Sequence, residues 1–170
     1  ESGSDIPEII NVIVEIPKGS MNKYEYDKKH NMIKLDRVLF SPFHYPGDYG
    51  LVPQTLSEDG DPLDALVLVT NPTYPGILIE ARPIGLLQMK DDGDPDDKII
   101  CVSTNDPRYL HTADISDIED HYRSEIAHFF QVYKELEGKK VEILGWKSSK
   151  EAKTVIVDSI KRYKNTLKKY

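Results

Sequence analysis

A chain of 170 residues, 39% of them hydrophobic and 30% charged, has enough apolar material for one compact domain with its own core. Its net charge of −7 argues against a nucleic-acid or anionic-membrane binder, since such partners require a basic face that releases counterions. An acidic protein that handles an anion needs metal ions between the two, and the single cysteine, Cys101, excludes an intrachain disulfide and points to a reducing compartment.

The expectation is a single domain over 1–170, with residues 1–8 as a flexible N-terminal extension. No stretch approaches the roughly 18 apolar residues of a membrane span, and the N-terminus lacks the basic-then-apolar pattern of a secretory signal. A cytoplasmic setting is expected.

Ile9 to Ile16 is rich in β-branched residues and stops at Pro17-Lys18-Gly19, which predicts a strand closed by a turn, with Glu15 its one ionisable member. Lys23 to Asp27 alternates, putting Lys23, Glu25 and Asp27 on one face and Tyr24 and Tyr26 on the other. Met32 to Arg37 follows the turn Lys29-His30-Asn31, so the two segments predict a hairpin. Phe43 to Gly50 sets aromatics on Pro46 and Gly47, a loop composition that positions side chains rather than filling a core.

The centre of the chain is Glu58-Asp59-Gly60-Asp61-Pro62-Leu63-Asp64, followed by the apolar run Ala65 to Val69. In extended chain Asp59 and Asp61 project together, while Gly60 and Pro62 bend the backbone so that Asp64 swings back and three carboxylates converge. Two such charges about 6 Å apart repel by roughly 3 kcal/mol at an effective dielectric near 20, which a fold tolerates only with a cation or proton to offset it. Oxygen ligands suit a hard divalent ion.

Ile77 to Met89 predicts a long strand bent at Pro83 and Gly85, as in a closed sheet, and Asp91 to Lys98 a second acidic loop. Lys98 to Val102 reads as a buried strand. Helical spacing appears in the last third: Ile118, Tyr122, Ile126, Phe129, Tyr133 and Leu136 form one stripe, with Gly138 as its stop. Val141 to Leu144 returns as a strand, and Ala152, Val155, Ile156, Ile160 and Tyr163 mark a second helix. Strands followed by helices favour an α+β fold built on a small β-barrel. The basic run from Lys161 to Lys169 reads as a solvated helix end and tail.

Several other chemistries fail on spacing. Counting from Asp59 or from Asp91, the fifth and twelfth positions of a calcium-binding EF-hand loop are Leu63 and Thr70, or Pro95 and Val102, none of them a ligand. No phosphate-binding glycine-rich loop or dinucleotide fingerprint is present, and none of the five histidines has a catalytic pattern around it.

Seven motifs in order resemble the soluble family I inorganic pyrophosphatases, over about Val14 to Lys164. They are Glu15-Ile16-Pro17, Lys23-Tyr24-Glu25, Asp36-Arg37, Tyr45-Pro46 through Tyr49-Gly50, Asp59-Gly60-Asp61-Pro62-Leu63-Asp64-Ala65, Asp91 to Lys98, and His128-Phe129-Phe130 through Tyr133-Lys134. The resemblance implies an OB-like five-stranded closed β-barrel with two helices packed on it. It also implies hydrolysis of pyrophosphate to two orthophosphates by in-line attack of a metal-activated water, and, from the short chain, a homohexamer of the prokaryotic type. Mg²⁺ is the implied ion, several per site, with Mn²⁺ or Zn²⁺ as substitutes and Ca²⁺ as an inhibitor.

Carried over by motif, Asp59, Asp64, Asp91 and Asp96 are the implied metal ligands, with Glu15 and Glu25 acting at the acidic edge through metal-bound water. Lys23, Arg37, Tyr49, Lys98, Tyr133 and Lys134 are the implied ligands of the phosphoryl groups, with Arg37, Tyr49 and Lys134 also catalytic. Asp61, between two ligands, is best placed to accept the proton of the attacking water. Where the family often has Asp-Glu, this chain has Asp91-Asp92, so Asp92, one methylene shorter, would reach an ion only through water. Asp94 and Asp97 read as solvated loop. Two other classes fit parts of the pattern: a non-catalytic divalent-metal-binding protein, and an OB-type nucleic-acid module, which the acidic balance disfavours.

Overall fold

The β-branched N-terminal run forms β1 (Ile10–Ile16), and the alternating segments after it form the expected hairpin of β2 (Asn22–Asp27) and β3 (Met32–Val38). The chain continues through β4 (Asp48–Val52), β5 (Leu63–Leu68), the long β6 (Leu78–Asp91), the two-residue β7 (Asp94–Pro95) and β8 (Lys98–Ser103). Helix α1 (Asp120–Val132), β9 (Val141–Ser148) and α2 (Ser149–Leu167) complete it. This computed structural model describes residues 1–168, so Lys169 of the basic tail lies outside the described residues.

Strands β1, β4, β5, β8 and β6 pair in that order, and β6 pairs back onto β1, which closes a ring of five. All neighbours are antiparallel except β5 and β8. The bend that closes the ring is written in β6, whose register with β8 shifts between Pro83 and Gly85. At Gly85 a Cβ would stand 2.6 Å from Ile115 Cβ, and at Gly50 a Cβ would stand 2.0 Å from the Ile13 carbonyl, so both close approaches require glycine. The far half of β6 runs beyond the ring and pairs with β9 and β7.

β5 and β8 are apolar on both faces. Ala65, Val67, Ile99 and Cys101 join one core with Val12, Val14 and Ala81, to which α2 adds Ala152 and Ile156. Leu66, Leu68, Ile100 and Val102 join a second with Ile126, Phe129, Phe130 and Tyr133 of α1 and its end. Each fully buried Leu or Ile contributes roughly 1.5–3 kcal/mol, so a wall with two apolar faces is strongly stabilised by burial. α2 starts at a capping box between Ser148 and Glu151.

Three expectations are corrected. Tyr45 lies in the core at 2% exposure and Asp48 is fully buried, so the aromatic loop does fill the interior, and its end is strand β4. Asp48 is tolerated there because it accepts from Lys18 N, Thr73 N and Thr73 Oγ1. The helical stripe ends early: α1 stops at Val132, a turn of 3-10 helix runs over Glu135–Glu137, and Leu136 is exposed. Residues 1–8 pack rather than trail, with Ser2 buried, its carbonyl accepting from Asn11 N, and Ile6 against the first core, because an apolar side chain gains by covering apolar surface. No helix among the described residues is long and apolar enough to cross a membrane.

Candidate active site

Eight carboxylates and four lysines line one cavity of about 560 Å³ at the end of the wall. Glu15 enters it from a bulge: Val14 opposes Gly50 and Ile16 opposes Tyr49, so Glu15 is the extra residue of β1 and its side chain is re-aimed. Lys23 and Glu25 come from one face of β2 as the alternation predicts, but Tyr24 and Tyr26 also reach the lining. Tyr49 sits on β4, Asp64 on β5 beside Leu51 of β4, Asp91 at the end of β6, Asp96 just before β8, and Lys98 at its first position. Tyr133 and Lys134 follow the last turn of α1.

Lys98 organises the floor. It is 2% exposed, and its Nζ donates to Asp64 Oδ2 and to Asp96 Oδ1, each at 2.6 Å. The ammonium also stands over the Tyr49 and Phe130 rings, at 5.5 and 5.9 Å. Burial alone would discharge the amine, but the two carboxylates more than offset that and hold it charged far above its ordinary range. Asp96, in turn, is raised, because burial outweighs the pull of Lys98. Lys134 pairs with Asp91 and lies 5.3 Å from the Tyr133 ring.

Burial pushes Glu15 up to about 7, opposed by the hydrogen bond its Oε1 accepts from Tyr26 N at 2.7 Å and reinforced by Asp64. Tyr49 and Tyr133 are also raised by burial, so both phenols stay protonated and can donate. Tyr133 is at once core, stacked on Phe129, and cavity wall.

The rim differs from the sequence reading. Asp59, Asp61 and Asp64 all line the cavity but form no closed cluster: Asp59 Oδ1 turns back to accept Asp61 N at 3.0 Å, and Gly60, at φ 92°, lets the loop close on itself. Repulsion between carboxylates favours this local capture. Among the described residues no three of the Asp, Glu, His and Cys side chains form a cage for an ion. Arg37 lies outside the cavity lining, its Nε and Nη2 on Glu137 and its Nη1 on Asp36. Asp92 turns away, its Oδ1 accepting from Lys140 N. Asp94 reaches the cavity edge, and Asp97, one residue before β8, accepts from Met89 N of β6. Tyr24, Tyr26, Lys28 and Asp94 line the cavity without a role in the sequence reading, and the alternation that placed both tyrosines opposite Lys23 concealed them.

The donor set fits hard divalent cations. Eight carboxylates against four ammoniums leave four negative charges, which two such ions would balance. Asp91 Oδ1 is buried with no hydrogen-bond partner, an oxygen ready for a cation.

The inorganic pyrophosphatase family model matches residues 12–164. This chain belongs to the inorganic pyrophosphatase family. It is 53% identical over 156 residues to the inorganic pyrophosphatase of Synechocystis sp., covering 92% of each chain, and 51% identical over 164 residues to that of Haloferax volcanii, covering 96% of this chain and 93% of the other. The crystal structure of inorganic pyrophosphatase from Thermus thermophilus superposes with a TM-score of 0.94 at 47% identity, covering 96% of each chain, and that of the Helicobacter pylori enzyme with 0.92 at 38% identity, covering 96% and 98%. The pyrophosphatase fold is the ring of five strands with two helices described above, and the family's span takes in every cavity residue from Glu15 to Lys134.

Proposed function

We propose that the chain hydrolyses inorganic pyrophosphate to two orthophosphates with Mg²⁺ as the working ion. The observation that carries this reading is the coexistence, in one cavity, of four surplus carboxylate charges with lysines that approach from β2, β8 and the end of α1. A site for cations alone would not need the lysines, and a site for an anion alone would not tolerate the carboxylates.

Asp59, Asp64, Asp91 and Asp96 would hold the ions, with Glu15 and Glu25 at the edge. Bound there, Mg²⁺ supplies neutralisation of the phosphoryl oxygens and lowers the pKa of water. Lys23, Lys98 and Lys134 attract the phosphoryl oxygens as point charges, and Lys98 keeps its third N–H free after serving Asp64 and Asp96. The protonated Tyr49 and Tyr133 hydroxyls donate to the same oxygens, and Arg37 adds a guanidinium from the rim. Asp61, exposed and free to turn inward, accepts the proton of the attacking water as it lines up with the P–O bond. The reading carries a cytoplasmic setting and a homohexamer with it, and light scattering that returned the mass of one chain would remove the hexamer.

The test is phosphate release from pyrophosphate by the purified protein with Mg²⁺, beside samples with EDTA, with Ca²⁺ in place of Mg²⁺, and with ATP as substrate. Release that EDTA abolishes and that spares ATP is expected. No release with Mg²⁺ or Mn²⁺ would overturn the activity and leave a metal-binding protein.

A further inference from the structure

One buried carboxylate beside the cavity has no part in the chemistry above. Glu137 closes the 3-10 turn after α1, and its side chain is 9% exposed. Its Oε1 accepts from Arg37 Nε at 3.0 Å and its Oε2 lies 2.9 Å from Arg37 Nη2, a two-pronged pair across 100 positions of sequence. Arg37 stands directly opposite Lys23 in the hairpin, so both project from one face of it. Glu137 N donates to Lys134 O at 3.0 Å, which ties the turn to the residue that supplies another cavity lysine. The pair therefore joins the hairpin bearing Lys23 to the segment bearing Tyr133 and Lys134.

The other edge of the guanidinium is held differently. Asp36 Oδ2 accepts from Arg37 Nη1 at 2.5 Å and from Lys23 Nζ at 3.1 Å, and Asp36 is 28% exposed. Withdrawing Arg37 from Glu137 would strand a buried carboxylate, whereas Asp36 can turn to water. An incoming phosphoryl group would thus displace Asp36 from the cations and leave the Glu137 pair intact.

We propose that Glu137 is a positioning residue that clamps the Nε–Nη2 edge of Arg37, so that the Nη1 edge is presented to the phosphoryl group beside Lys23. The proposal rests on the pyrophosphatase reading. Binding of imidodiphosphate with Mg²⁺ by calorimetry, together with pyrophosphate kinetics, tests it. E137Q is expected to weaken imidodiphosphate binding and raise KM about ten-fold while kcat stays within about three-fold, and in an R37A background the same change should alter binding less than two-fold. Affinity and KM equal to wild type, or an equal loss with and without Arg37, would overturn the clamp. Should E137Q not fold, E137D, which keeps the charge and withdraws it by one methylene, carries the same comparison. A wild-type protein that neither binds imidodiphosphate nor releases phosphate would instead sink the underlying reading.

Discussion

The floor and the rim of the cavity use the same residue types to opposite ends. On the floor, Asp64, Asp96 and Lys98 stand at the ends of β5 and β8, the wall that is apolar on both faces, and are locked by two bonds of 2.6 Å. On the rim, Asp59 and Asp61 are exposed on a turn held only by local hydrogen bonds, Asp61 N to Asp59 Oδ1, Ser57 N to Asp61 O and Gly60 N to Ser57 O. Burial turns charge into structure, because a buried charge without its partner costs far more than an exposed one. Floor residues should therefore couple binding to folding, and rim residues should leave folding alone.

The largest effect on folding is expected from Lys98→Ala. Removing the ammonium leaves two carboxylates facing each other and should cost about 3 kcal/mol, read by urea or thermal unfolding. A loss below about 1 kcal/mol would erase the distinction between floor and rim.

Glu15→Gln should act in the opposite direction. Burial raises the folded carboxyl from 4.5 to about 7, so the folded state binds this proton more tightly than the unfolded chain. Below pH 4.5 both states carry it; as pH rises to 7 the unfolded chain releases it first, and the stability it contributes is lost. Without added cations the amide, which still accepts the Tyr26 N–H, should stabilise the protein by up to about 3 kcal/mol at pH 8 and by nothing near pH 4. Unfolding in EDTA at the two pH values checks this, and a gain independent of pH would refute the burial argument.

Asp61→Asn should leave stability within about 0.5 kcal/mol while turnover falls by roughly 10²–10⁴, as for loss of a proton acceptor. Turnover within a few-fold of wild type would take the proton from Asp61. The smallest change is expected from Asp59→Asn, whose amide oxygen can still accept Asp61 N; its unfolding midpoint should not move, and only the Mg²⁺ titration should shift.

Much of this was legible in the residues. The hairpin followed from the alternation of Lys23 to Asp27, the ring's bend from Pro83 and Gly85, and the two acidic loops from their composition. The misreadings have local physical causes. Asp59 turned to the nearest N–H, which eases its repulsion from the neighbouring carboxylates, and Tyr45 was taken by a core that needed its ring. Leu136 fell out of the helical stripe because the helix tightened after Val132 into a 3-10 turn, which moves the stripe's phase.

By itself the sequence determined the kind of chain this is: the class of fold, most of its strands and both helices, and the family, because these follow from periodicity and from motifs a few residues long. Only the tertiary structure decided the pairings. That Lys98 is buried between Asp64 and Asp96, that a bulge aims Glu15, and that Arg37 is held by a carboxylate 100 positions away are properties of closure. A ring of five strands brings remote residues to one place, and the cost of a lone buried charge selects which of them meet.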